Sequence, residues 1–220
     1  MIFKLNNMKN SVLRHFAIVL MLVTFFYACS NNNDDIENTD VNNNDITDEV
    51  LTDADEVALL FMLEEEKLAR DTYAYLYNLW SIKQFANIKK SEQTHMNAIE
   101  DLLVKYNVAY AILPDGVFNN KDLQDLYNQF VINGAIDKVN AFKIGATIED
   151  LDIVDLQTLI NNTENTSIIS VFKNLQCGSR NHLRSFITGL KNAGGTYTPQ
   201  FLTQAEYDAI LLEDNEKCNQ

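Results

Sequence analysis

Apolar residues recur every three to four positions along four long stretches of the chain, which is the spacing of one face of an α-helix. Only 7 Gly and 2 Pro occur in 220 residues, so helix breakers are scarce. The pattern therefore predicts an all-α chain. The four long helices are predicted at Asp53 to Trp80, Gln84 to Tyr106, Ile136 to Ile160 and Ile168 to Lys191.

The connections between these helices predict their order. One short polar link follows Trp80, and a second runs from Asn161 to Thr166. Helices joined by such short links pair as antiparallel hairpins, so we expect two hairpins. A longer crossover between the hairpins contains Pro114-Asp115-Gly116 and a short helix at Lys121 to Ile132. This order is typical of a ferritin-like, up-down-down-up four-helix bundle.

Residues 1–28 are typical of a secretory signal peptide. A basic start precedes an apolar run from Phe16 to Tyr27, which is too short to span a bilayer comfortably. The following Ala28-Cys29 resembles the bacterial lipobox, in which the cysteine becomes lipidated and forms the mature N-terminus. We therefore expect a lipid on Cys29 that attaches the protein to the bacterial cell envelope, at the outer membrane, in the periplasm or at the cell surface. An ordinary signal peptide or a retained anchor stays open as an alternative.

Composition divides the rest of the chain into three parts. Residues 29–49 are rich in Asn and Asp and nearly free of large apolar side chains, so we expect a disordered tether. Residues 50–192 carry the four predicted long helices and form the ferritin-like domain. Residues 193–220 form a C-terminal tail with a short helix at Thr203 to Leu212, where Thr203 and Glu206 fit a capping box.

The sequence is acidic, with a formal net charge of −14. It has no basic stripe that would release counterions from phosphates, which argues against nucleic acid as a partner. An acidic chain suits cations instead, although a solvated acidic surface explains much of this charge equally well.

Cysteine usage leaves one pairing open. If the lipid occupies Cys29, then Cys177 and Cys218 remain. Outside the cytoplasm these two are able to form a disulfide between the tail and the last long helix, or to stay free. No CxxC motif or Cys/His cluster indicates zinc.

Ionisable residues interrupt the apolar face of each long helix, and buried charges are rare unless they are paired or bind a metal. Two of these residues, His95 and His182, are the only histidines after residues 1–28 are removed. Carboxylates and imidazoles together in a bundle core suit iron or manganese. A metal-free buried polar network is the alternative. The candidate metal ligands are Glu66, Glu92, His95, Glu149, Asp152 and His182.

Three motifs are the most specific: Glu64 to Tyr73 (EEEKLARDTY), Ser91 to His95 (SEQTH) and Gly178 to Leu183 (GSRNHL). With the residues between them they resemble a bacterial ferritin-like family, the domain of unknown function 2202. The resemblance covers nearly all of Val50 to Leu190. Glu66 to Tyr73 is also similar to the ExxARxxY helix of rubrerythrins, which implies that Glu66 is the ligand rather than Glu64 or Glu65.

The resemblance implies a dinuclear site. In di-iron bundles two helices supply one Glu each, and the other two supply a Glu-x-x-His motif each. Ser179 departs from this pattern, because it stands where the second motif has Glu. We hypothesise that Asp152, one turn after Glu149, supplies the missing carboxylate; otherwise the second metal binds weakly or not at all. The positions that match the pattern are Glu66, Glu92, His95, Glu149 and His182.

Two functions from different classes follow. The first is a di-iron or di-manganese oxidoreductase, an oxidase or peroxidase acting on oxygen or hydrogen peroxide. It needs an external electron donor, because the cysteine iron site of rubrerythrins is missing. Tyr73 and Tyr77 then orient a bound oxygen species or carry an electron, or they are simply core tyrosines. The second is a non-catalytic lipoprotein whose metal or polar network is structural and whose surface binds a partner. The sequence leaves the oligomeric state open, and a dimer is one possibility.

Overall fold

The structure is a computed structural model that describes residues 50–218. Within that range the chain is all-α, with six helices and no strand. The predicted signal peptide, the expected lipid on Cys29 and the predicted tether lie outside the described residues. The helices are α1 (Asp53–Trp80), α2 (Lys83–Lys105), α3 (Lys121–Gly134), α4 (Lys138–Asn162), α5 (Thr166–Asn192) and α6 (Gln204–Leu212).

Side-chain caps explain where the helices begin. Thr52 caps α1 in a capping box with Asp55, and the observed bounds of α1 are those predicted. α4 begins two residues later than predicted, because the side chain of Asp137 accepts a hydrogen bond from the amide of Asn140. α5 begins two residues earlier, because Asn165 caps it through the amide of Ile168. The capping box predicted for α6, between Thr203 and Glu206, is confirmed.

The long helices pack as two hairpins, α1 with α2 and α4 with α5, as the short links predict. α3 lies in the crossover between the hairpins and packs against both α1 and α4. Gly134 at its end lies against Leu76, and the indole N–H of Trp80 donates to the Gly134 carbonyl at 2.8 Å. Among the described residues, no helix is long and apolar enough to cross a membrane.

Two apolar layers form the core, and ionisable residues lie between them along the helices. One layer is aromatic: Tyr73, Phe85, Phe142 and Phe186 are all buried, with ring centroids 5.1 to 5.9 Å apart. The other is mainly aliphatic and includes Leu59, Met62, Leu63, Met96, Ile99, Leu103, Leu156 and Phe172. Each long helix contributes to both layers, so the residues midway along each helix meet at one level of the bundle.

A buried charge network holds the crossover against α1. The Lys67 ammonium lies 2.6 Å from Asp71 and also donates to the carbonyls of Pro114 and Val117. Asp71 in turn accepts a hydrogen bond from the amide of Gly116 at 2.9 Å. These contacts satisfy a buried cation and a buried anion, so Lys67 and Asp71 have a structural role.

The C-terminal segment (residues 193–218) folds back along the second hairpin. Asp150 of α4 is fully buried and accepts hydrogen bonds from the amides of Gln200 and Leu202 and from the Tyr197 hydroxyl. A disulfide joins Cys177 of α5 to Cys218. The pairing that the sequence left open is therefore present.

Candidate metal centre

The ionisable residues predicted on the apolar faces are all buried, none more than 9% exposed. They lie between the aromatic and aliphatic layers because each is one or two helical turns from a core residue on the same face. Glu66 comes from α1, Glu92 and His95 from α2, Glu149 and Asp152 from α4, and His182 from α5.

Five of these six residues form two groups that share one member. In the first, Nδ1 of His95 lies 3.1 Å from Oε2 of Glu66 and 2.9 Å from Oε2 of Glu92. In the second, Nδ1 of His182 lies 3.0 Å from Oε1 of Glu92 and 3.5 Å from Oε2 of Glu149. Within each group the three ligand atoms lie within 4.8 Å of one another. Glu92 therefore presents one carboxylate oxygen to each group.

The two imidazole rings lie side by side at the boundary between α2 and α5. Their centroids are 5.6 Å apart and their planes differ by 25°. Gly178 makes room for them, because a Cβ at this position would lie 2.7 Å from Cε1 and Nε2 of His95. The glycine is thus required by the close approach of the ring, not by its backbone conformation.

Burial and mutual contact shift the protonation of the centre. Burial raises the pKa of Glu66 to about 7, although His95 acts to lower it. Burial alone would lower the pKa of His182, but the carboxylates of Glu92 and Glu149 outweigh it and raise that pKa to about 10. Burial alone would raise the pKa of Glu92, but His182 and His95 hold it below its usual range. Without a bound cation the centre therefore retains protons, chiefly on its imidazoles.

The donor set fits a bound cation. Oε1 of Glu66, Oε1 of Glu92 and Nδ1 of His182 are buried without a hydrogen-bond partner, so the short contact between His182 and Glu92 lacks hydrogen-bond geometry. In the described part of the chain the ion pairs of Glu66, Glu92 and Glu149 are with histidines alone. Buried carboxylate oxygens and imidazole nitrogens that converge with only histidines as counter-charges form a site that iron or manganese completes.

Asp152, the sixth candidate, belongs to neither group of ligand atoms. It is 5% exposed, and the hydroxyl of Ser179 hydrogen-bonds to its Oδ2 while Oδ1 has no partner. Burial raises its pKa well above the ordinary value, and the charges of Glu66, Glu149 and Glu92 raise it further. Asp152 therefore adjoins the centre and contacts Ser179, which stands where the di-iron pattern has Glu. Its role as a ligand stays a prediction.

Three residues near the centre were not singled out from the sequence: Glu65, Asp155 and Gly178. Glu65 is 2% exposed and neither of its oxygens has a donor, although the resemblance favoured Glu66 over it. Burial raises the pKa of Glu65, and its carboxyl group faces that of Asp155 of α4, so that a protonated Glu65 donates to the Asp155 carboxylate. Met62 and Leu68, at helical spacing on either side of Glu65, were the signal that it faces inward.

The two tyrosines of α1 differ in environment. Tyr73 is fully buried and its hydroxyl contacts Glu149, one of the grouped carboxylates. Tyr77 is only partly buried, with the Lys89 ammonium 5.7 Å from its ring centroid. Only Tyr73 is therefore placed to act on the centre.

Comparison with known proteins places the chain among uncharacterised relatives. Residues 55–214 match the family described as an uncharacterized protein domain, DUF2202. The uncharacterized protein MJ0754 of Methanocaldococcus jannaschii is 47% identical over 169 residues, which is 76% of this chain and 91% of that protein. A crystal structure of the hypothetical protein MJ0754 has a TM-score of 0.75 and 46% identity to this chain, covering 76% of this chain and 97% of its own. Since the family match spans more than half of the sequence, the chain belongs to the DUF2202 family.

Proposed function

We propose that the protein is a ferritin-like, lipid-anchored metalloprotein that binds two iron or manganese ions and reduces oxygen or hydrogen peroxide. One observation carries the proposal: Glu92 presents its two oxygens to two separate carboxylate–histidine groups. A shared carboxylate between two such groups suits a pair of ions rather than one. The hairpin, crossover, hairpin order of the helices supports the ferritin-like topology.

Each ion has its own ligands in this proposal. Glu66 and His95 would hold one, Glu149 and His182 would hold the other, and Glu92 would serve both. Asp152 would complete the second position in place of the carboxylate that Ser179 lacks. When bound, the ions supply the one-electron chemistry that none of these side chains supplies.

The chain's own residues fix the ligands and keep water out. The Tyr73 hydroxyl donates to Oε1 of Glu149, which holds that carboxylate in one orientation. Phe85 and Phe186 pack against the Tyr73 ring, so the aromatic layer closes one side of the centre. The aliphatic layer closes the opposite side. A dry pocket strengthens the attraction between its carboxylates and a cation.

A lipid on Cys29 would place this domain at the cell envelope, and the Asn/Asp-rich residues 29–49 would then separate it from the membrane. The net charge of −14 argues against a nucleic-acid partner and is compatible with collecting cations.

Metal stoichiometry tests the proposal. The purified protein is stripped of metal and loaded anaerobically with iron(II), and bound iron per chain is measured beside a His95→Ala/His182→Ala variant. We expect two equivalents in the parent and loss of both in the variant. The iron(II)-loaded protein, freed of other reductants, is then mixed with oxygen or with hydrogen peroxide, and oxidation of the bound iron is followed by absorbance. Failure to bind any specific iron or manganese would end the proposal.

A non-catalytic role has one observation in its favour. Nδ1 of His95 and Oε2 of Glu66 form a hydrogen bond without any metal, so part of the centre is already satisfied as a polar network. In that case the loaded protein consumes neither oxygen nor peroxide, and the double histidine variant loses stability without any change in redox behaviour.

A further inference from the structure

We propose that Cys177 and Cys218 are a two-electron dithiol that supplies the electrons for peroxide reduction, which makes the protein a thiol-dependent peroxide reductase. This inference rests on the proposed function and names the source of the electrons that peroxide reduction requires. The sequence contains three cysteines, and Cys29 is the expected lipid site, so these two are the remaining thiol pair.

The disulfide lies one residue along α5 from the backbone that contacts the His95 ring. Cys177 directly precedes Gly178 in α5, and the Gly178 backbone packs against Cε1 and Nε2 of His95 too closely for any Cβ. Consecutive Cα atoms are ~3.8 Å apart. Electrons from Cys177 therefore have a short, packed route to the His95 ring.

The C-terminal segment stays in place without the disulfide. The Glu216 carboxylate accepts hydrogen bonds from Arg180 at 2.7 Å and from Arg184 at 3.1 Å. The Glu216 amide donates to Oδ1 of Asn181 at 2.9 Å, and the Asn181 amide donates back to the Glu216 carbonyl at 3.0 Å. Glu216 is two residues before Cys218, so the two thiols remain neighbours after the S–S bond breaks. A reversible redox pair needs such an arrangement, because its two thiols must stay close enough to re-form the bond.

The two sulfur atoms differ in access. Cys177 is 8% exposed, while Cys218 is partly exposed near the end of the described chain. An external dithiol therefore attacks Sγ of Cys218 and expels the Cys177 thiolate. A second exchange releases the oxidised donor and leaves both cysteines reduced.

The oxidising half of the cycle balances with hydrogen peroxide as the oxidant. Two S–H bonds and the O–O bond break, and one S–S bond and two O–H bonds form. The sulfur atoms together lose two electrons, the oxygen atoms gain them, and the two thiol protons complete two water molecules. No co-reactant beyond peroxide and the resetting dithiol is required.

The metal-free protein gives the first test. The native protein is treated with dithiothreitol, its free thiols are alkylated and counted by mass spectrometry, and its helical content is followed by circular dichroism. We expect complete reduction with unchanged helix content, and full re-formation of the disulfide on mild oxidation. Reduction that occurs only when the helices melt would overturn the proposal.

The loaded protein gives the second test. After reduction and removal of dithiothreitol, one equivalent of hydrogen peroxide is added without oxygen. We expect two thiols lost per peroxide consumed, and thiol loss at least tenfold slower in the His95→Ala/His182→Ala variant. The Cys177→Ser and Cys218→Ser variants should lose turnover with dithiothreitol, yet peroxide should still oxidise their bound iron(II).

The outcomes separate the two proposals. If both serine variants turn over with dithiothreitol as fast as the parent, the dithiol is not the reductant and the inference fails alone. If peroxide oxidises neither the bound iron(II) nor the thiols of the parent, the proposed function fails and the inference fails with it.

Discussion

The hydroxyl of Tyr73 lies 2.5 Å from Oε1 of Glu149 and donates a hydrogen bond to it. The two residues are on different hairpins, α1 and α4, and both are almost completely buried. The other oxygen of the same carboxylate lies 3.5 Å from Nδ1 of His182. Tyr73 therefore sets which Glu149 oxygen is available to the centre.

The Tyr73→Phe variant tests this link. It removes the hydroxyl but keeps the ring that packs against Phe85 and Phe186. We expect metal affinity to fall by about 10-fold to 100-fold, the usual cost of losing a group that orients a ligand. Loss of one buried hydrogen bond should lower the free energy of unfolding by only ~1 kcal/mol. Titration calorimetry with manganese(II) measures the affinity, and thermal unfolding measures the stability.

Tyr77→Phe is the matched control, because Tyr77 is one turn further along α1 and partly exposed. It should leave metal affinity unchanged. Equal losses in the two variants would mean that the effect comes from α1 as a whole and not from the contact with Glu149.

The four long helices follow from the sequence because each keeps an apolar stripe at helical spacing and has a side-chain cap near its start or a short polar link beside it. The inward direction of Glu66, Glu92 and His182 follows from the same stripes. The roles of Glu65 and Gly178 do not. Met62 and Leu68 indicate that Glu65 faces inward, but its contact with Asp155 depends on how closely α4 approaches α1, and the need for glycine at 178 depends on the His95 ring of another helix. Such contacts between hairpins leave no periodic trace in one chain.

Gly178→Ala should disturb the centre without removing any ligand. The added methyl group would lie 2.7 Å from the His95 ring, so the ring must move. We expect metal affinity to fall by about 10-fold or more, a cost like that of losing a group that orients a ligand. Overpacking costs ~1–3 kcal/mol, partly offset by ~1 kcal/mol from the better helix propensity of alanine. Equilibrium dialysis against manganese(II), with urea unfolding of the metal-free protein, gives both quantities.

Gly189→Ala is the control for Gly178→Ala. It lies on the same helix, and its methyl group would meet the Phe142 ring at 2.4 Å, away from the ligands. Its stability should change by a similar amount while metal affinity stays near that of the parent. A comparable loss of affinity in both variants would show that overpacking of α5 alone disturbs the centre.

Asp152→Ala tests the sixth ligand. If Asp152 completes the second position, the variant should bind about one metal equivalent fewer than the parent. Adding Ser179→Glu to this variant should restore the lost equivalent, because glutamate then stands where the di-iron pattern has it and occupies space left by Asp152. Iron per chain, measured after anaerobic loading, reports both changes. Glu65 is another buried carboxylate outside the ligand groups, so the control variant Glu65→Gln should keep the metal content of the parent. Unchanged metal content in Asp152→Ala would remove Asp152 from the ligand set.

The carboxyl pair of Glu65 and Asp155 predicts how stability depends on pH. Burial raises the pKa of Asp155 from 3.8 to about 6, although the hydrogen bond from Glu65 acts to lower it. Between these two values the unfolded chain releases a proton that the folded protein keeps, so the stabilising contribution is complete below pH 4, declines as pH rises and is lost above pH 6. At ~1.4 kcal/mol per pH unit, a rise of about two units corresponds to roughly 2–3 kcal/mol.

Asp155→Asn removes the ionisation while keeping an acceptor for Glu65. Urea unfolding of the metal-free parent and variant at pH 4, 5, 6 and 7 gives the difference in free energy of unfolding at each pH. The free energy of unfolding of the variant, minus that of the parent, should rise by roughly 2 kcal/mol between pH 4 and pH 6. It should level off above pH 6, because Asp155 of the parent is then ionised in both the folded and the unfolded state. Using the difference cancels the titration of the metal-centre residues, which both proteins share. A difference that stays constant over this range would mean that Asp155 ionises in the folded protein as it does in the unfolded chain, and that its carboxylate is hydrated despite its place beside Glu65.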